Sequence, residues 1–202
     1  QGLVKMRGGD WLDCLSGAGK KGRGESVMVS CQLVMCLKYL VEILNKVGQV
    51  NEVEKYEKAG YRLKNAINKA AFNGRFYNAV YTDNDTWLFS EKDEDGEERV
   101  YVPTNAYAVI SGVASGKENE IFNEIAKLKT SDGYKLFSKP LGGKFIDGIG
   151  KMGTGDFQPY FAENGSVYNH GSQCFLIRAL AKAGRYEEIS DVLGYALPLY
   201  AD

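Results

Sequence analysis

The chain has a single histidine and four cysteines among its 202 residues, and no two of the cysteines form a Cys-x-x-Cys pair. Cys14, Cys31, Cys36 and Cys174 therefore offer no zinc-ligand spacing, and with one histidine to join them no metal site is expected. Reduced thiols in a cytoplasm fit this usage. An excess of either charge is also missing: 25 Lys and Arg face 26 Asp and Glu, a formal net charge of -1, and the one dense charged run is "SEKDEDGEER". That balance argues against a nucleic-acid or anionic-membrane surface. No apolar run reaches about 18 residues and no signal peptide opens the chain, so no membrane partner is expected. An initiator methionine is lacking too: the chain opens "QGLVKMRGGDW" and runs at once into its most function-like loop, as a piece of something larger would.

What is present is 44% apolar residues, enough for the core of one domain over residues 1–202. Leu33, Leu37, Leu40 and Leu44 recur at helical spacing with Val47 three further on, and Val34, Cys36 and Val41 widen the stripe. The pattern predicts a largely buried helix over 27–47, stopped by Gly48. Asn51, with Glu54 three residues later, reads as the N-cap of a second helix lined by Val53, Tyr56, Leu63, Ile67 and Ala70. Two helices joined by so short a turn lie antiparallel. "FNGRFYNAVYTDNDTWLF" reads as a hairpin or an extended excursion, and Glu91 to Arg99 as a solvated loop. Pro103 opens a third helix, and a fourth over 118–128 carries Ile121, Phe122, Ile125 and Leu128 on one stripe. Residues 130–169 hold eight glycines and little periodicity, which marks a long functional loop. A third helix pair covers 171–183 and 186–197, closed by Gly184 and Pro198. The expected fold class is all-α: three helical hairpins forming about half of an (α/α)6 barrel, an α/α toroid.

Three stretches carry candidate chemistry. In "GGDWLDCLSGAGKKGRGESV", Asp10 and Asp13 flank Trp11, which fits a carbohydrate subsite where the indole covers a sugar face and a carboxylate hydrogen-bonds or protonates the sugar. The alternative is an Asx turn beside a half-buried tryptophan. At the end of that stretch Glu25 or Ser26 can cap the following helix, with a direct catalytic role for Glu25 as the alternative. "GAGKKGRGES" lacks the preceding strand and the GKS or GKT ending of a phosphate-binding loop, so a nucleotide site is rejected. In "ENGSVYNHG", His170 stands at the start of a helix seven residues after Glu163. It is either a structural histidine or one that holds an anion together with outward-pointing N–H groups of the helix. No catalytic triad and no supported nucleophilic cysteine is readable.

Taken in order, "RGGDWLD", "GRGESV", "FNGRFYNAVY", "NAYAVISG" and "ENGSVYNHG" resemble the C-terminal half of the catalytic domain of glycoside hydrolase family ninety-four, over nearly the whole chain. The family comprises phosphorylases of the cellobiose, cellodextrin, chitobiose and β-1,2-oligoglucan type. The resemblance implies an (α/α)6 barrel that cleaves a β-glycosidic bond with inorganic phosphate and inverts the anomeric carbon. It casts Asp13 as the general acid, Trp11, Asp10 and Glu163 as sugar contacts and His170 as a phosphate ligand. The co-substrate is phosphate, and no cofactor is implied. Leu12 departs from the Asn usual between the tryptophan and the acid, and Ser166 stands where many members have glycine. An N-terminal β-sandwich, the first hairpins and a Thr-Gly phosphate segment are expected outside this chain, so association with the rest of the domain or with a second copy is expected. An inverting hydrolase on the same barrel is the alternative, and so is a non-catalytic helical-hairpin binding module in which these residues do not converge.

Overall fold

The computed structural model describes residues 1–141, 159–160 and 163–197. Six α-helices are placed there: α1 (Val27–Lys46), α2 (Val53–Ala71), α3 (Val102–Ile110), α4 (Glu118–Ala126), α5 (Gln173–Lys182) and α6 (Tyr186–Ala196). They form the three expected pairs. α1 packs on α2 and on α3, α3 on α4 and on α5, and α5 on α6, so α1, α3 and α5 form a contiguous row. The middle of that row is buried at every position from Val102 to Val109, which is why α3 shows no polar face.

The chain is not purely α. β1 (Val4–Lys5), β2 (Glu25–Ser26), β3 (Val80–Tyr81) and β4 (Trp87–Leu88) make a four-stranded antiparallel sheet in that order, with Val4 opposite Ser26, Ser26 opposite Val80 and Val80 opposite Leu88. A hairpin of β5 (Lys129–Thr130) and β6 (Gly133–Tyr134) begins the region expected as a long loop. Residues 142–158 and 161–162 of that loop lie outside the described residues, as does Pro198.

Local chemistry explains the element ends. Ser26 ends β2 and caps α1: its backbone is extended and its hydroxyl accepts from the Val29 N–H at 3.2 Å. This is the expected cap, and such a cap contributes about 1 kcal/mol. Gly48, at φ +77°, turns the chain out of α1. Asn51 does not cap α2; a 3-10 turn over Val50–Glu52 precedes the helix, and Glu52 takes the N-cap position with no side-chain hydrogen bond. Asn105 in α3 accepts from the Tyr77 N–H at 2.9 Å and donates to the Tyr101 carbonyl at 2.9 Å. It fastens the extended excursion after α2 onto the central helix.

Two readings of the sequence change. α1 is not largely buried: Leu33, Tyr39, Ile43 and Val47 are exposed, Ile43 to 56%, because α2 and α3 cover only one side of it among the described residues. α1 is also apolar and long enough to cross a membrane by length and composition alone, although Lys38 and Glu42 interrupt its apolar residues. The second change concerns the acidic stretch, which is not simply a solvated loop. Asp93 and Arg99 are both 2% exposed and pair at 3.0 Å.

The apolar interior has two parts. One lies among the helices, with Val27, Met28, Ile67, Ala106, Ile121 and Leu176 at its centre. The other lies under the four-stranded sheet and gathers Leu12, Leu15, Val80, Phe89, Tyr101 and Phe137. Each fully buried leucine or phenylalanine contributes about 1.5–3 kcal/mol. Trp11 packs against both parts and so joins sheet to helices.

The glycine-rich loop between the sheet strands is closed by Asp83. One carboxylate oxygen accepts from the Arg23 and Gly24 N–H groups, each at 2.8 Å, and the other from the Lys21 N–H. Gly24 is required there, since an added Cβ would stand 2.3 Å from the Ala18 carbonyl oxygen. Burial pushes the Asp83 carboxyl up, but the three N–H donors and Arg23 outweigh it and hold it below its ordinary value of 3.8. A depressed carboxylate stabilises the fold above its unfolded pKa and loses that contribution as pH falls through its folded one. Asp83→Asn is therefore expected to cost about 2–3 kcal/mol at neutral pH. The gap from the unmodified chain should narrow below pH 3.8, as read by urea denaturation at both pH values.

Candidate functional site

Residues 8–24 leave the sheet at β1 and return at β2, and the turn between carries the first candidates. Asp10 faces inward. Its Oδ1 accepts from the Leu12 N–H at 3.1 Å, an Asx turn, and its Oδ2 accepts from the Ser26 hydroxyl at 2.8 Å. Burial pushes its carboxyl above the ordinary value, with the two hydrogen bonds acting against that rise. Asp10, a sugar contact by the resemblance, thus ties the loop to the α1 cap. Leu12 is fully buried in the sheet-side core, so the departure from Asn at this position is absorbed by apolar packing.

Asp13 opens a 3-10 turn (Asp13–Gly17) and is exposed. Its backbone N–H donates to Glu163 Oε2 at 3.3 Å, a contact across 150 residues of sequence. The Trp11 indole meets three rings edge-on: Tyr168 at 5.9 Å, His170 at 6.0 Å and Phe175 at 5.6 Å between centroids. Such contacts contribute about 0.5–1.5 kcal/mol each beyond area burial. The indole lies directly on Gly171, where an added Cβ would come within 2.2 Å of Trp11 Cη2. Only glycine admits this approach. The His170 ring, exposed, runs parallel to Tyr168 with centroids 6.4 Å apart.

Trp11, Asp13, Glu163 and His170 thus come together from two segments at opposite ends of the chain. Asp10 sits beneath them. Glu25 is drawn elsewhere: it is buried in β2, and Lys5 meets it at 3.1 Å. The anion reading of His170 loses part of its expected support, because the Gly171 and Ser172 N–H groups donate to the Tyr168 carbonyl and the Cys174 N–H to the Asn169 carbonyl. Those donors point back into their own turn.

The sequence reading missed Tyr168 and Phe175, which complete the aromatic wall, and Gly171, which lets the indole close. It also missed Asn164, fully buried one residue after Glu163. The only sequence signal for these was their place within "ENGSVYNHGSQCF".

The family described as "Glycosyl hydrolase 94 superfamily, catalytic domain" matches residues 1–202. The chain is 31% identical to a 3-O-beta-D-glucopyranosyl-beta-D-glucuronide phosphorylase of Paenibacillus borealis, over 100% of this chain and 26% of the relative. A solabiose phosphorylase of the same organism is 32% identical over 97% of this chain and 25% of its own length. A cellobionic acid phosphorylase of Neurospora crassa is 25% identical over 93% of this chain and 23% of its own. The chain spans about a quarter of the length of these relatives.

Proposed function

The chain belongs to the glycosyl hydrolase 94 superfamily, and from that premise we propose that it is part of a phosphorylase that cleaves a β-linked gluco-oligosaccharide with inorganic phosphate, inverting the anomeric carbon. The observation that carries the reading is the contact between the two candidate segments, Asp13 with Glu163 and Trp11 with His170. A binding module without chemistry gives no reason for an exposed aspartate to follow a tryptophan by two residues and to meet a glutamate carboxylate through its backbone N–H.

The roles follow from charge and position. Asp13, protonated, gives its proton to the glycosidic oxygen as the bond from that oxygen to the anomeric carbon breaks. A phosphate oxygen forms the new bond from the opposite face, and an α-sugar 1-phosphate leaves. One carboxylic acid is sufficient, since phosphate is already anionic, whereas an inverting hydrolase needs a second carboxylate to activate water. Trp11 covers a sugar face, Glu163 accepts from sugar hydroxyls, and His170 pairs with phosphate. Asp10 holds the acid's loop from beneath. The names of the relatives support phosphorolysis as the reaction class.

The same reading takes the row of α1, α3 and α5 with its outer partners as half of an (α/α)6 toroid within a larger domain, and the exposed side of α1 as a surface for the rest of that domain or a second copy. A cytoplasmic location, where phosphate is at hand, belongs to the proposal. The test is phosphate release from α-glucose 1-phosphate by the protein that carries this domain, across a panel of β-gluco-oligosaccharide acceptors. Release that depends on the acceptor is expected. Cleavage of the oligosaccharides at one rate with and without phosphate would overturn the reading in favour of a hydrolase.

A further inference from the structure

Glu163 reaches Asp13 from a segment with little regular structure, so something must hold it there. The described contacts lead to its neighbour. Asn164 is fully buried, and its side-chain amide makes a reciprocal pair with one residue: Oδ1 accepts from the Leu141 N–H at 2.7 Å and Nδ2 donates to the Leu141 carbonyl at 3.1 Å. Its own carbonyl accepts from the Tyr160 N–H at 3.0 Å. Just beyond, the Leu136 N–H donates to the Ser166 carbonyl at 2.7 Å, and Lys135 bridges to Val167. Leu141 itself is buried in the sheet-side core with Leu12 and Leu15, which flank Asp13 in sequence.

We propose that Asn164 is a positioning residue: by clamping residue 164 onto Leu141 it fixes the height at which Glu163 meets the backbone of Asp13. Only a side chain of this length with both a donor and an acceptor can close that pair. Aspartate keeps the size and the acceptor but sets a carboxylate oxygen against the Leu141 carbonyl. The geometry stands by itself; its catalytic meaning rests on the phosphorolysis reading above.

The experiment is amide exchange and pH titration of the 15N-labelled chain. In the unmodified chain the Asp13 amide shift should follow the ionisation of Glu163, and Glu163→Gln should abolish that while leaving Leu141 protected. Asn164→Asp is expected to cut protection about tenfold or more at both Leu141 and Asp13, and to remove the pH dependence at Asp13. Lost protection at Leu141 with the Asp13 titration intact would overturn the proposal. Should the variant not fold, the unmodified chain decides: Asp13 and Leu141 amides should open with one free energy, and free exchange at Asp13 beside a protected Leu141 would equally overturn it. None of these readouts uses turnover, so a failure of the phosphorolysis reading leaves them unchanged. In a protein that does turn over, the double variant Glu163→Gln/Asn164→Asp should be no slower than Glu163→Gln alone.

Discussion

Asp13→Asn is expected to lower kcat by about 10²–10⁴-fold in the intact enzyme, the range that removal of a general acid produces, with the melting temperature unchanged. The side chain is exposed, and the hydrogen bond to Glu163 comes from the backbone N–H, which asparagine keeps. The loss therefore reports proton transfer and not folding. Leaving groups separate the two further. A glycoside whose leaving group departs as a stable phenolate needs little protonation, so the variant should approach the unmodified enzyme on such a substrate and fall furthest behind on an oligosaccharide. Equal losses on both, or activity retained on both, would remove Asp13 from the role of acid. Comparison with Glu163→Gln is informative because the Glu163 carboxylate meets the Asp13 backbone N–H at 3.3 Å. A sugar contact should raise KM more than it lowers kcat, whereas the acid should do the reverse.

The helix pairs were legible because each buries a stripe several turns long, and a stripe at period 3.6 survives in the sequence whatever it packs against. Gly48 and Ser26 mark their ends for equally local reasons. Of the four-stranded sheet only the β3–β4 hairpin was legible, inside the stretch read as a hairpin or an extended excursion. Its strands are two residues long, too short for an alternating pattern, and Val4, Ser26 and Val80 meet only through tertiary structure. The burial of α1 was overestimated because composition records how apolar a face is and not whether a neighbour covers it. At the candidate site, the Asp-Trp-x-Asp and Glu-to-His spacings singled out the two segments that the structure brings into contact, but not their meeting. Asp10 and Asp13 look alike in the sequence, and one of them turns inward only because the Ser26 hydroxyl lies beneath it.

Arg99→Met is expected to destabilise the chain by about 3–5 kcal/mol, the cost of leaving a buried charge without its partner. The guanidinium has five N–H donors, and all are engaged: Nε on the Lys139 carbonyl at 3.0 Å, Nη1 on Asp93 at 3.0 Å and on Asp95 at 2.8 Å, and Nη2 on Asp95 at 2.7 Å and on the Pro140 carbonyl at 3.0 Å. Lysine cannot replace that planar fork, so Arg99→Lys should recover little. The pH dependence identifies the cause. Burial already pushes the Asp93 carboxyl above its ordinary value, with Ser90 and Arg99 acting against that rise, and removing Arg99 raises it further. A carboxyl whose folded pKa lies above its unfolded one binds a proton more readily in the folded state, so the variant should regain stability as pH falls from neutral toward 3.8. Asp93→Asn in the Arg99→Met background should restore part of the loss at neutral pH, and denaturant midpoints across that range would show both effects. A loss below about 1 kcal/mol with no pH dependence would mean that the pair is a replaceable surface contact. The consequence reaches the candidate site, because Lys139 and Pro140 directly precede Leu141, the residue on which Asn164 closes. A stretch that looks like solvated charge in the sequence thereby holds the segment on which Asn164, the neighbour of Glu163, closes, and a variant that loosens Arg99 should also weaken protection of the Asp13 amide.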